Sequence, residues 1–249
     1  LTIAVGFQQT WHYGNADRDL LVAKFRRAPV GGWDFQGTIW LDFYTGGDDL
    51  KSGVDVTQAL FTANKNYADG SGFTFNYQHL AYPELLRQGE FTPITAAEIA
   101  NNRLDRISGS GWWWLREKVQ LHGYLCGWID EQDQGENAEV GVEVRDLFVR
   151  NSRFDVTAFG GTGNFETFLG GRATLGVYEV RGYWELLYEY SFHHEYGFPD
   201  NVDDIQQQRI RLNGGLYLPS GFDLSFYVET RVWDVEFSWA LGFTLQKKF

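Results

Sequence analysis

Period-two alternation of apolar and polar residues, sustained from one end of the chain to the other, constrains this sequence most. It is clearest over 237–249, where the odd positions read Phe237, Trp239, Leu241, Phe243, Leu245, Lys247 and Phe249. The even ones read Ser238, Ala240, Gly242, Thr244, Gln246 and Lys248. Over 222–232, Phe222, Leu224, Phe226, Val228 and Val232 alternate with Asp223, Ser225, Tyr227, Glu229 and Arg231. Successive side chains of a strand point to opposite faces of the sheet. Each such strand therefore has one greasy face and one face carrying full charges. The pattern predicts about twelve strands, near 1–14, 19–29, 32–46, 72–82, 111–130, 136–150, 153–164, 167–181, 183–198, 204–219, 222–235 and 237–249.

A soluble sandwich also alternates, with its apolar face turned inward. Two features favour a membrane barrel instead. Apolar residues of one parity run to five or more, which gives strands of about ten residues, the length that crosses a bilayer at a tilt. The aromatics, 10 Trp, 13 Tyr and 20 Phe, gather towards strand ends, as at Trp11 and Tyr13, Trp112 and Trp113, Tyr188 and Tyr190, and Trp239 and Phe249. Aromatic girdles mark the two interfaces of such barrels. No apolar run approaches the roughly 18 residues of a membrane helix. The formal charge of −12 opposes nucleic-acid binding, which needs a basic face. Cys126 stands alone, which excludes an internal disulfide and a multi-cysteine metal site. The chain opens on a strand-like run, LTIAVGF, without an initiator Met, and reads as a mature chain whose targeting segment has been removed or left out.

Most connections are short, and nothing divides 1–249 into more than one domain. Two connections are long. Residues 47–71 are polar and rich in Gly and Asp. Residues 83–110 carry a helix signal, with Thr95 and Glu98 spaced as a capping box and Ile94, Ile99, Leu104 and Ile107 to bury. With twelve strands, 83–110 falls at the end of the barrel that holds the termini, where the helix would plug the mouth or dock a partner. The fold expected is an all-β, transmembrane, antiparallel up-and-down barrel with a short helix in 83–110.

The terminal run F-S-W-A-L-G-F-T-L-Q-K-K-F resembles the last strand of bacterial outer-membrane barrels of the channel and porin class. The match is Phe249, Leu245, Phe243 and Leu241; Lys247 departs from it. The resemblance implies a Gram-negative outer membrane, with both termini in the periplasm. It also implies contact with outer-membrane lipid and lipopolysaccharide, and recognition by the barrel-insertion machinery through the strand ending at Phe249.

If the apolar parity meets lipid, the other parity lines a lumen. Its basic residues are Lys24, Arg26, Arg116, Lys118, Arg145, Arg153, Arg172, Arg209, Arg211 and Arg231. Its acids are Asp34, Asp42, Glu139, Glu143, Asp155, Glu185, Glu189 and Glu229. The excess acid falls in connections expected to be extracellular: Asp17, Asp19, Asp48, Asp49, Asp55, Asp69, Glu131, Asp133, Glu136, Asp200, Asp203 and Asp204. Opposed rows of Arg and carboxylate select solutes by charge, and Trp40, Tyr178, Tyr217, Tyr227 and Trp233 could stack on sugar rings. The main expectation is passive diffusion of small hydrophilic, charged or sugar-like solutes. A sealed interior with self-neutralising charges is the alternative.

Two other functions compete. Ser191 and His193 share a parity with Glu185 and Glu189, so a Ser/His/acid cluster (Ser191, His193, Glu189) could make a barrel hydrolase. An export channel for a polymer, with 83–110 as plug or docking site, is the third. His193-His194-Glu195 lacks the H-E-x-x-H spacing, and the Asn15-x-Asp17-x-Asp19 loop has Arg26 where a closing acid belongs. No metal or cofactor is therefore expected.

Overall fold

A computed structural model describes residues 1–12, 15–44, 53–81, 103–130, 134–163, 166–196, 202–218, 221–233 and 236–247. These form fourteen strands: β1 (Thr2–His12), β2 (Asn15–Val30), β3 (Trp33–Tyr44), β4 (Gly53–Asn66), β5 (Gly72–Ala81), β6 (Arg103–Arg116), β7 (Val119–Asp130), β8 (Gln134–Arg145), β9 (Ser152–Gly163), β10 (Glu166–Glu179), β11 (Gly182–Tyr196), β12 (Val202–Tyr217), β13 (Phe222–Trp233) and β14 (Glu236–Lys247). Each strand bonds to the next in sequence order, in one up-and-down antiparallel sheet. No described residue is helical. The chain divides into two compact units, 1–111 with 126–135, and 112–125 with 136–249.

The count is fourteen rather than twelve for two physical reasons. Strand β4 lies within the segment expected to be a polar connection. Its apolar residues sit at Val54 and Val56, then at Ala59, Phe61 and Ala63, because the register against β3 shifts between Trp40 and Leu41 and leaves Thr57 as an extra residue. Such a bulge inverts parity midway and hides the alternation. The second reason is the two-residue turn Glu117-Lys118, which splits the single strand expected over 111–130 into β6 and β7.

The helix expected in 83–110 is corrected over its last part. Leu104 and Ile107 belong to β6, and Ile107 is exposed while its neighbour Ser108 is buried, which is strand alternation. Ile94, Thr95, Glu98 and Ile99 lie outside the described residues. Counting β4 also reverses the direction of β5. In the first unit, Ala81, at the end of β5, stands at the same end of the sheet as His12 and Tyr44, opposite the N-terminus. Asp69, expected with the other connection acids, lies at the N-terminal end instead.

Burial is inverted relative to a water-soluble protein. In β1, Ile3, Val5 and Phe7 are about two thirds exposed, and in β14 Phe237, Trp239, Phe243 and Leu245 are 64–69% exposed. Among described residues the buried hydrophobics are only Leu20, Ala63, Cys126 and Val177, whereas Asp42, Thr57, Ser152, Thr157, Ser191 and Glu229 are buried. Directly paired residues of adjacent antiparallel strands share a face. Register thus joins Phe226, Phe243 and Gly214 on the apolar face, and Arg209, Arg231 and Ser238 on the polar one. Rings of the apolar face sit on glycines: a Cβ at Gly37 or Gly214 would meet the ring of Phe25 or Phe226 within 2.4 Å. Even the ten-residue β5 spans about 33 Å, enough for a hydrocarbon core of about 30 Å.

Leu241→Arg on the apolar face should destabilise the chain by about 2–4 kcal/mol in a folding titration into lipid vesicles, while Thr244→Arg on the polar face should cost well under half of that. Equal losses would refute the face assignment.

Candidate functional site

The polar face is where chemistry-bearing side chains converge. In the second unit, a row of alternating charge crosses β8 to β13. Arg172 on β10 donates to Glu139 on β8 at 2.5 Å, reaching over β9. Arg172 is paired in register with Glu189 on β11, and Glu189 with Arg209 on β12. Arg209 donates through Nε and Nη2 to Glu229 on β13 at 3.0 and 2.8 Å, and lies 3.9 Å from Glu189. Arg231 donates to the other oxygen of Glu229 at 2.7 Å, and Arg211 stands 3.8 Å away. The row carries four arginines against three glutamates. The side chains of Arg172, Arg209, Arg211 and Arg231 keep 25–41% of their surface exposed.

The other strand residues named from the sequence for this face stand as follows. Lys24, Arg26, Asp34 and Asp42 lie on β2 and β3. Lys24 and Arg26 border a hollow of about 400 Å³ together with Thr2, Gln36, Thr38 and Thr62. Arg26 is 3.9 Å from Asp34, and the buried Asp42 accepts from Thr57 at 2.5 Å. Glu143 accepts from Arg145, whose guanidinium lies 4.2 Å over the ring of Trp114. Arg116 ends β6. Arg153 lies over Tyr178 at 5.2 Å. Glu185 accepts from Tyr178 at 2.9 Å, and the Arg211 guanidinium lies over Tyr227 at 5.2 Å. Lys118 departs from expectation: it stands in the β6–β7 turn and pairs with Asp146 at 3.1 Å.

Three groupings were not read from the sequence. His122 on β7 reaches Asp155 on β9 at 2.5 Å, and Asp155 also accepts from Thr157 at 2.7 Å. The crossing needs Gly141 on β8, where a Cβ would stand 2.4 Å from the imidazole. The second is on the apolar face, where His79 is held between Asp105, at 2.7 Å, and the carbonyl of Val56, at 3.0 Å. Tyr77 also donates to Asp105, at 3.0 Å.

The third changes the Ser/His/acid cluster. His193 Nε2 lies 2.8 Å from Ser191 Oγ, and Nδ1 faces Glu166 on β10. The acid is Glu166, not Glu189. Glu189 lies four residues from His193 along the strand and turns to Arg209. With Nδ1–H donated to the carboxylate, Nε2 accepts from the serine hydroxyl. Phe168 is nearly parallel to the imidazole, with centroids 5.8 Å apart. Ser191 is 3% exposed. No group of three His, Cys, Asp or Glu that could hold a metal ion occurs among the described residues.

No protein-family model and no curated protein sequence matches this chain. Among solved structures it is similar to one described as a bacterial polysaccharide outer membrane secretin, at 9% identity and a TM-score of 0.50, covering 95% of this chain and 80% of that one. OmpT in its trimer form, an outer membrane protein of Vibrio cholerae, aligns at 8% identity and a TM-score of 0.42, over 93% and 86% of the two chains. The first likeness shows the fold: an all-β, up-and-down chain of the outer-membrane barrel class.

In the β8–β9 turn, the ammonium of Lys118 and the amide of Asn151 both donate to Asp146 and hold its carboxyl below its ordinary value of 3.8. A depressed carboxylate pKa contributes stability that is full above the ordinary value and lost as pH falls through the folded one. Asp146→Asn should therefore unfold at lower urea concentration than the parent at neutral pH, and the two midpoints should converge below about pH 3. A gap unchanged at low pH would show that the contact is not ionic.

Proposed function

We propose that the chain is a bacterial outer-membrane channel for passive diffusion of small hydrophilic solutes, with the polar face as the lumen wall and the termini on the periplasmic side. The observation that carries this reading is the partial exposure of the charge row. In a sealed interior, four arginines and three glutamates would have to be dry and fully paired, since an unpaired buried charge is very costly. Here the guanidinium groups are paired on one side and open on the other, as a hydrated wall requires. Opposed rows of unlike charge then bias which ions pass.

The apolar face would meet lipid and lipopolysaccharide, and β14 would present Phe243 and Leu245 to the insertion machinery. Phe249 lies outside the described residues. No cofactor and no nucleic acid enters the proposal. The export reading put 83–110 at the terminal end, whereas β5, with β4 counted, runs away from the N-terminus and ends at Ala81 on the opposite side of the first unit.

Ser191, His193 and Glu166 are proposed as a strut between β10 and β11 rather than a hydrolase site. Ser191 is too covered for attack. The main chain beside it is committed to the pairing of β10, β11 and β12, and acyl transfer needs preorganised donors for an oxyanion. A fluorophosphonate probe should leave Ser191 unlabelled in the folded chain. Stoichiometric labelling abolished by His193→Ala would establish the enzyme instead.

Charge selectivity tests the channel. Arg209→Ala with Arg211→Ala should shift the reversal potential in a planar-bilayer salt gradient towards cations, because it removes two positive charges and also exposes Glu229. Glu229→Gln should shift it towards anions. Absence of any conductance in the parent chain would refute the channel, and unchanged reversal potentials would remove these residues from the conducting path.

A further inference from the structure

The structure assigns an oxyanion-binding hollow to the polar face of β1–β4, where Lys24 and Arg26 hold a phosphate or carboxylate group among Thr2, Gln36 and Thr38. The inference deepens the channel reading, and it rests on that reading only for the claim that solutes reach this face.

Strand alternation sets the two cations side by side. Lys24 and Arg26 are alternate residues of β2, so their side chains leave the same face with Cα atoms about 7 Å apart. Register fixes their neighbours. Arg26 is flanked by Thr2 on β1 and Gln36 on β3, and Lys24 by Ala4 and Thr38. On β4, Thr62 pairs with Gln36 and Leu60 with Thr38. These residues border the hollow of about 400 Å³. One water takes about 30 Å³ in the liquid, so a small organic anion fits with part of its hydration shell. No carboxylate stands directly opposite either cation.

The second unit is built differently. There, Arg172, Arg209, Arg211 and Arg231 each have a glutamate at 2.5 to 3.8 Å. In the hollow, the Lys24 ammonium has no partner among the described residues. Arg26 has Asp34 alone, at 3.9 Å, beyond hydrogen-bond reach. The side chains of Thr2, Gln36 and Thr38 are likewise uncommitted among the described residues, whereas Thr62 donates to Asn76 at 2.9 Å.

The charges can be counted. From β1 to β5 the other described charges of this face are Asp34, Asp42 and Asp55. Asp42 and its register partner Asp55 stand along β3 about 13 Å from Thr38, and Asp42 accepts from Thr57. On β6, Arg106 donates to Cys126 at 3.0 Å. Asp34 turns one oxygen towards Arg26 and keeps the other buried without a partner. Lys24 and Arg26 against Asp34 leave the hollow with a surplus of one positive charge.

That surplus and the donor set define the ligand. Ammonium and guanidinium only donate, and the free Thr and Gln groups add donors around them. A cationic solute meets repulsion, and a neutral one leaves the surplus uncompensated. An oxyanion supplies paired lone pairs to the arginine fork and a charge to the lysine. A carboxylate or a singly charged phosphate balances the count. Thr2 opens β1, so the hollow lies towards the terminal end of the first unit, where solutes using that mouth would meet it.

Equilibrium dialysis of the full chain in uncharged detergent micelles tests the assignment, with inorganic phosphate and gluconate as probes and glucose as the neutral control. At least one anion should bind saturably and glucose should not; which anion binds identifies the group. Lys24→Gln and Arg26→Gln should each weaken binding about fivefold or more, while Lys24→Arg, which keeps the charge, should stay within about threefold of the parent. Asp34→Asn should tighten binding about threefold. Lys65→Gln removes the same charge from the apolar face of the same unit, and at moderate ionic strength it should change binding less than about twofold. Heat-dependent gel migration shows which variants are folded, and Lys24→Arg guards against misfolding of the Gln variants. In planar bilayers the bound anion should reduce the chloride current of the parent more than that of Lys24→Gln. Conductance without binding of either anion overturns the hollow and leaves the channel standing. Binding in micelles without conductance does the reverse. Equal binding of glucose, Gln variants that bind like the parent, or an equal loss in Lys65→Gln also overturns the hollow.

Discussion

The structure depends on where its backbone hydrogen bonds go once its apolar side chains face outward. An exposed row such as Ile3, Val5 and Phe7, facing Phe25 and Leu21 across the register, has no protein layer over it. In water that surface would drive aggregation; in hydrocarbon it is matched to its solvent. Hydrocarbon offers no partner for an N–H or C=O, so strands must satisfy one another. Sequential antiparallel pairing does so with the shortest connections, which is the order found from β1 to β14. Strand length follows from the same constraint, since a strand too short for the apolar layer would leave its ends unpaired within it.

The opposite face inherits every charge that the apolar face cannot take. Charges on a sheltered wall are tolerable only if paired or hydrated, and the row from Glu139 to Arg231 is paired and partly exposed. Glu229 shows the balance. It accepts from Arg209 and Arg231 while Arg211 lies 3.8 Å away, so three cations share one buried carboxylate. The surplus positive charge is left to solvent. The charges of this wall are fixed by neighbours in the sheet and only partly satisfied by them.

The faces were legible in the sequence because parity needs no knowledge of partners. Register puts Lys24 and Arg26 on one face with Thr38 and Gln36, and Arg172, Glu189, Arg209 and Arg231 together on one face. Parity fails where one extra residue enters a strand. Thr57 inverts β4, hides it in an apparently polar segment, and so reverses the direction that the sequence suggests for β5. It also cannot see across strands. Glu189 shares a parity with His193, yet the carboxylate that meets the imidazole is Glu166, brought there by the pairing of Phe168 with His193 and of Glu166 with Glu195. The His122–Asp155 contact spans an intervening strand and depends on the missing side chain at Gly141. Register is a three-dimensional quantity, and the composition of a single strand carries no trace of it.

Glycine ties the two faces together. A glycine within a strand costs backbone entropy and leaves no side chain to pack, so its recurrence under aromatic rings needs a return. On the apolar face, Phe25 over Gly37 and Phe226 over Gly214 fill the gap with hydrocarbon and lock neighbouring strands in register. On the polar face, Tyr183 over Gly215 and Tyr227 over Gly242 lock register in the same way, but these rings need not be tyrosine for that purpose. Phe159 over Gly170 does it on the same face without a hydroxyl. Packing accounts for the ring and the glycine. The Tyr178 hydroxyl is held by Glu185, which also accepts from Asn213, and Asn213 accepts from Arg211, so these polar groups tie β10, β11 and β12 together across the same face.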